Sequence, residues 1–146
     1  MPPLPKRIDG PVAVIGDVHG QVEKLQSLLD RLRQLPDFRS RWLVFIGDFV
    51  DRGPDPRGAL DALLGLLQDH RRCTAVAGNH ELAMSAALQL IRTPDYSNWP
   101  ERWLAHYDAQ TTFESYGAEF GNCDDLRDRL PASHRELLAE IGRAHV

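Results

Sequence analysis

Cysteine is scarce in this chain, with two residues in 146, and neither Cys73 nor Cys123 has another Cys or a His at zinc-site spacing. A disulfide framework and a thiolate metal site are therefore set aside, and a reducing cytoplasm is the expected address. Long apolar runs are missing too. The longest lie around residues 12–15 and 43–46, strand-sized and far short of the roughly 20 residues that a membrane helix needs. The opening Met1-Pro-Pro-Leu-Pro5 has neither the basic start nor the apolar segment of a signal peptide. Lysine is nearly absent, and 17 basic residues against 21 acidic ones leave a formal charge of −4. That balance argues against nucleic-acid binding through bulk electrostatics. Neither a nucleic acid nor a membrane is an expected partner. What remains, 42% hydrophobic and 26% charged residues over one domain's length, is an ordinary globular composition. Residues 1–146 read as a single domain behind a flexible tail of about residues 1–10.

Three short apolar runs rich in β-branched residues stand at 11–15, 41–46 and 73–77, each ending at a glycine: Gly16, Gly47 and Gly78. Near-continuous apolar runs of this length predict strands buried on both faces of a parallel sheet. Between them lie helical patterns. Val22, Leu25, Leu28, Leu29, Leu32 and Leu35 make one stripe, and Asp55-Pro56 reads as a cap ahead of Leu60, Leu63, Leu64 and Leu67. A third helix is expected over 81–91. Strand and helix in alternation predict an α/β fold. From Pro94 onward an aromatic-rich stretch predicts short helices packed over the first unit. Ser133-His-Arg-Glu136 has the spacing of a capping box before a last helix.

The chemistry-bearing residues collect where the strands end. Gly16-Asp-Val-His-Gly20, Gly47-Asp-Phe-Val-Asp-Arg-Gly53 and Gly78-Asn-His-Glu81 follow the three strands in turn. In an open α/β sheet the carboxyl ends of the strands form the ligand crevice, so the three loops should converge. Asp17 and His19 would share one side if the chain stayed extended, and Asp48 adds a carboxylate. Oxygen and imidazole donors suit Mn²⁺, Fe²⁺ or Zn²⁺. Asp48 can bridge two ions and Asn79 can ligate the second, and ions about 3.5–4 Å apart are the usual apparatus for displacement at phosphorus. Arg52 offers a planar fork for phosphate oxygens, and His80 beside Asp51 has the form of a general acid held in one tautomer. Each residue alone has a plainer reading: Asp17 as a helix cap, Asp51-Arg52 as a surface pair, Asn79 as a turn residue. The order of all three loops is what carries the signal.

On these residues the chain resembles the calcineurin-like metallophosphoesterases, specifically the phosphoprotein phosphatase branch of bacterial serine/threonine phosphatases and diadenosine tetraphosphatases. The resemblance runs from Pro11 to Gly117 and includes Thr112-Phe-Glu-Ser-Tyr-Gly117. It implies the amino-terminal portion of a metallophosphoesterase β-sandwich flanked by helices. Two divalent ions are implied, Mn²⁺ foremost with iron or zinc as alternatives: Asp17, His19 and Asp48 at the first, Asp48 and Asn79 at the second. Arg52, Asn79 and His80 would contact the substrate phosphate, and His80, oriented by Asp51, would protonate the leaving group after in-line attack of a metal-bridging hydroxide. The implied substrates are phosphoserine and phosphothreonine in proteins, or dinucleoside polyphosphates. The Asp51-Arg52 pair and Glu81 set the chain apart from nuclease and cyclic-nucleotide relatives.

The family's second ion also draws on two histidines later in the chain, in His-Ala-Gly-like and Gly-His motifs, and neither motif occurs in these residues. The sequence therefore reads as the amino-terminal part of a longer enzyme with an incomplete second site, and an inactive metal- or phosphate-binding fragment is the rival reading. His70, His106 and His134 are expected at the surface, and His145 follows no strand. Cys73 is expected in a strand core and Cys123 in a loop.

Overall fold

A computed structural model describes residues 7–94 and 98–143. Three strands form one parallel sheet in the order β1 (Val12–Ile15), β2 (Trp42–Phe45), β3 (Cys73–Ala75). The register pairs Ile15 with Phe45 and Phe45 with Ala75. All three strands therefore end level at the same edge, and the three glycine-flanked loops leave from neighbouring points.

Helices α1 (Val22–Arg33) and α2 (Pro56–Asp69) make the crossovers. Pro56 starts α2 with its fixed φ, and the Asp55 carboxylate accepts the Gly58 N–H at 2.8 Å, as the sequence predicts. Leu25 and Leu29 from α1 and Leu60 and Leu63 from α2 join Ile15, Leu43, Phe45 and Ala75 in one buried cluster. Each such side chain contributes about 1.5–3 kcal/mol on burial. The expected burial on both sheet faces holds only for β3. In β2 buried residues alternate with half-buried ones, in β1 only Ile15 is buried, and Val12, Val14 and Ile46 are exposed, Val14 by 62%. The apolar runs are long enough for two covered faces, but only one face joins the buried cluster here. Leu28 and Leu35 of the α1 stripe are also exposed.

The third helix, α3 (Asn79–Ala87), begins two residues before its expected start and closes at Leu88, with Gln89 left-handed at φ 57°. Asn79 and His80 thus sit in a helix's first turn rather than in a loop. The aromatic stretch folds as expected into short helices, α4 (Trp99–His106) and α5 (Gln110–Ser115), with Trp103 stacked on Phe113. Cys123 opens α6 (Cys123–Arg129) instead of lying in a loop, because Asn122 caps that helix through the Asp125 N–H. The last helix, α7 (Ala132–Arg143), starts one residue before Ser133, so the anticipated capping box does not form. The Pro131 carbonyl takes the first N–H groups instead.

Two histidines expected at the surface are buried. His70 caps the end of α2, and one ring nitrogen bonds the Arg41 carbonyl. His134 is fully buried between the Tyr116 hydroxyl at 2.6 Å and the Asp61 carboxylate at 2.9 Å, which fastens α7 to α2 and to the end of α5. Burial, then the Asp61 charge, pushes the Tyr116 hydroxyl above its ordinary range, so it serves as donor. His106 is exposed and Cys73 buried, as expected. His145 and residues 1–6 of the expected tail lie outside the described residues. No helix among the described residues is long and apolar enough to cross a membrane.

Candidate active site

The loop after β1 and the loop after β2 are laced together through their backbones. Val18 and His19 both donate N–H to the Asp48 carbonyl, at 2.9 and 2.7 Å, and Gly20 donates to Phe49. This lacing bends the first loop out of the extended geometry that the sequence suggested: His19 is left-handed at φ 42°. Asp17 consequently points to solvent, with its carboxylate 4.0 Å from His19 Nε2. Asp17 does not cap a helix, since α1 is capped at Gln21 with no side-chain bond. His19 Nδ1 lies 2.8 Å from the Val50 carbonyl and donates to it. That bond fixes the tautomer and leaves Nε2 unprotonated, an acceptor as in metal-binding histidines.

The loop after β2 is unusual backbone. Asp48, Asp51 and Arg52 have φ of 55°, 67° and 65°, a region that few non-glycine residues occupy. Glu81 explains how it is held. Its carboxylate, fully buried, accepts four backbone N–H groups: Asp48 at 2.7 Å, Phe49 at 2.7 Å, Val50 at 3.0 Å and Gly78 at 2.9 Å. Burial pushes this carboxyl above its usual range, while the four amides pull the other way. Gly47 and Gly78 are needed because the two loops touch there: a Cβ on Gly47 would run into the Gly78 backbone, and one on Gly78 into Asp48.

The third loop brings the N-terminus of α3 to Asp48, whose Oδ1 accepts the His80 N–H at 3.2 Å. The His80 ring donates from Nδ1 to the Asp51 carboxylate at 2.8 Å, both residues being buried. Asp51 is therefore not part of a surface pair with Arg52. The Arg52 guanidinium, exposed, instead reaches His19 Nε2 at 3.3 Å. His19, Asp48 and His80 each offer a ligand atom within 4.8 Å of the others, a set that can hold a metal ion. Of the residues singled out from the sequence, the structure thus gathers His19, Asp48, Asp51, Arg52 and His80 tightly. Asp17 stands at the solvent side, and Asn79, exposed, opens α3.

The sequence reading missed three neighbours. Trp103 and Thr112 bond the Asp51 carboxylate, and the Tyr107 ring meets His80 edge-on at 5.0 Å. Thr112 had a signal in the segment 112–117; the other two had none beyond aromatic character. Residues 10–143 match the calcineurin-like phosphoesterase family. The chain belongs to that family. This calcineurin-like phosphoesterase chain is 37% identical over 100 residues to a symmetrical bis(5'-nucleosyl)-tetraphosphatase of Bordetella parapertussis, covering 68% of this chain and 35% of that protein. It is 40% identical over 86 residues to serine/threonine-protein phosphatase 2 of Escherichia coli, 59% of this chain and 35% of the relative. A serine/threonine-protein phosphatase 4 catalytic subunit of Candida glabrata is 40% identical over 76 residues, 51% of this chain and 24% of its own length. The chain spans about a third of the length of the first of these relatives.

Proposed function

We propose that the three loops form the reaction centre of a metal-dependent phosphoesterase that hydrolyses phosphomonoesters, with phosphoserine and phosphothreonine in proteins as substrates. One observation carries the reading: His80, with Nδ1 held by a buried carboxylate, lies beside His19 and Asp48, the groups best suited to a divalent ion. Asp17, His19 and Asp48 would hold a first ion, and Asp48 with the Asn79 amide would contribute to a second. The donor set fits, because His19 presents Nε2 and Asp48 keeps an oxygen beyond the one that takes the His80 N–H. Oxygen and imidazole donors favour Mn²⁺, with iron or zinc as alternatives. When bound, such ions acidify water and neutralise phosphoryl charge. Arg52 grips phosphoryl oxygens through paired N–H groups. His80 gives a proton from Nε2 to the departing oxygen while Asp51 holds Nδ1. The expected compartment is the cytoplasm.

A second reading, hydrolysis of dinucleoside polyphosphates, is favoured by the tetraphosphatase relatives that match 68% of the chain. Calorimetric Mn²⁺ titration of the chain comes first. Binding that Asp48→Asn abolishes and His80→Asn spares supports His80 as the acid, and equal loss in both makes His80 a ligand. Mn²⁺-dependent phosphate release from a phosphoserine peptide supports the main reading. Cleavage of diadenosine tetraphosphate alone selects the second. Mn²⁺ binding with no turnover of either leaves a binding fragment, and no Mn²⁺ binding refutes both. In active protein, His80→Asn should slow the phosphoserine peptide by about 10²–10⁴-fold and p-nitrophenyl phosphate much less, since a good leaving group needs no proton.

A further inference from the structure

The Asp51 carboxylate is held by more than its histidine. Trp103, from α4, donates its indole N–H to Oδ2 at 2.9 Å, the same oxygen that receives His80 Nδ1–H. Thr112, from α5, donates its hydroxyl to Oδ1 at 2.6 Å and accepts the N–H of Asp51 itself at 3.0 Å. Asp51, Trp103 and Thr112 are all fully buried. An indole N–H can only donate, so the oxygen that faces His80 must accept from both of its neighbours. The Thr112 clamp grips backbone and carboxylate of one residue at once, and that residue is left-handed at φ 67°. The link between these two helices touches the site twice more: Arg52 N–H donates to the Asp108 carbonyl at 3.1 Å, and Tyr107 lies against His80.

We infer that Trp103 and Thr112 are positioning residues for His80, holding Asp51 as an acceptor in the one orientation that keeps a proton on His80 Nδ1 and turns Nε2 toward the site. The inference rests on His80 acting as proton donor. A merely structural Trp103 would need some partner for its N–H when buried, but it would not need this oxygen. Nor would a structural Thr112 need to bond both ends of Asp51. With either donor lost, the carboxylate has one restraint fewer against rotation about its side-chain torsion, and the acceptor of the His80 proton is held less firmly.

The test uses the metal-free full chain with isotope-labelled histidine and three substitutions. Trp103→Phe keeps the ring and removes the N–H, Thr112→Val keeps the shape and removes the hydroxyl, and Thr112→Ser keeps the hydroxyl. The wild type should show a slowly exchanging proton on His80 Nδ1. Trp103→Phe and Thr112→Val should speed that exchange by about tenfold or more while far-ultraviolet circular dichroism stays native, and Thr112→Ser should restore it. If Trp103→Phe does not fold, the two Thr112 variants decide. Folded variants with unchanged Nδ1 exchange overturn the inference. Turnover is a separate arm: in protein that hydrolyses both substrates, Trp103→Phe and Thr112→Val should lose about tenfold more on a phosphoserine peptide than on p-nitrophenyl phosphate. Altered exchange together with equal losses on the two substrates refutes the acid role of His80 and leaves the positioning of its ring intact.

Discussion

Replacing Glu81 by glutamine removes a charge and reverses one hydrogen-bonding end at the point where the second and third loops meet. The carboxylate accepts N–H groups from Asp48 and Gly78 on Oε2 and from Phe49 and Val50 on Oε1. Glutamine offers one carbonyl oxygen and one NH₂, so at most two of the four amides keep an acceptor and the other two face a donor. Hydrogen bonds to a charged group contribute about 1.5–3 kcal/mol each. Losing two predicts a cost of roughly 3–5 kcal/mol once the easier burial of a neutral side chain is set against it. Against a total of about 5–15 kcal/mol for a domain, that is a large fraction. It corresponds to roughly 10–16 °C in melting temperature at this chain length. Urea unfolding followed by circular dichroism measures the first quantity. Amide exchange at Asp48, Phe49 and Val50 should show where the protection is lost. Because the Asp48 carboxylate rides on this turn, Mn²⁺ affinity should fall by about tenfold or more, as for other residues that orient a ligand. A Glu81→Gln chain within about 1 kcal/mol of wild type, with Mn²⁺ affinity unchanged, would refute the reasoning.

Arg52→Ala should weaken inhibition by inorganic phosphate and leave Mn²⁺ affinity nearly unchanged, since a guanidinium grips oxyanions and repels cations; a metal titration shifted as far as the phosphate inhibition would make Arg52 structural. Burial pushes the Cys73 thiol up to about 12, and burial followed by Asp124 raises Cys123 as well. The folded chain therefore keeps the Cys73 proton where the unfolded chain loses it, so stability should fall as pH rises from about 8.5 toward the folded value, and this effect vanishes below that window. In iodoacetamide labelling at about pH 8.5, the half-buried Cys123 should react before Cys73, and mass spectrometry finding Cys73 modified first would count against the burial of β3.

By itself the sequence determined the alternation of strands and helices and the three loops. Those signals are local: β-branched runs stop at Gly16, Gly47 and Gly78, Asp55-Pro56 caps α2, and leucines recur at helical steps. The level ends of the strands then follow from parallel pairing, which is why the order of the loops was enough to point to one site. What the tertiary structure decided are the partners, because a hydrogen bond between distant residues leaves no trace in local spacing. Nothing around Trp103 announces that its indole N–H meets a carboxylate 52 positions earlier. Nothing around His134 announces that Tyr116 and Asp61 take both of its nitrogens inside the core. Asp17 and His19 share a motif, yet the backbone lacing to Asp48 sends one to solvent and the other toward the site. Glu81 was legible as a motif letter. Its action, four amides gathered on one buried carboxylate, exists only once β2 and α3 stand side by side.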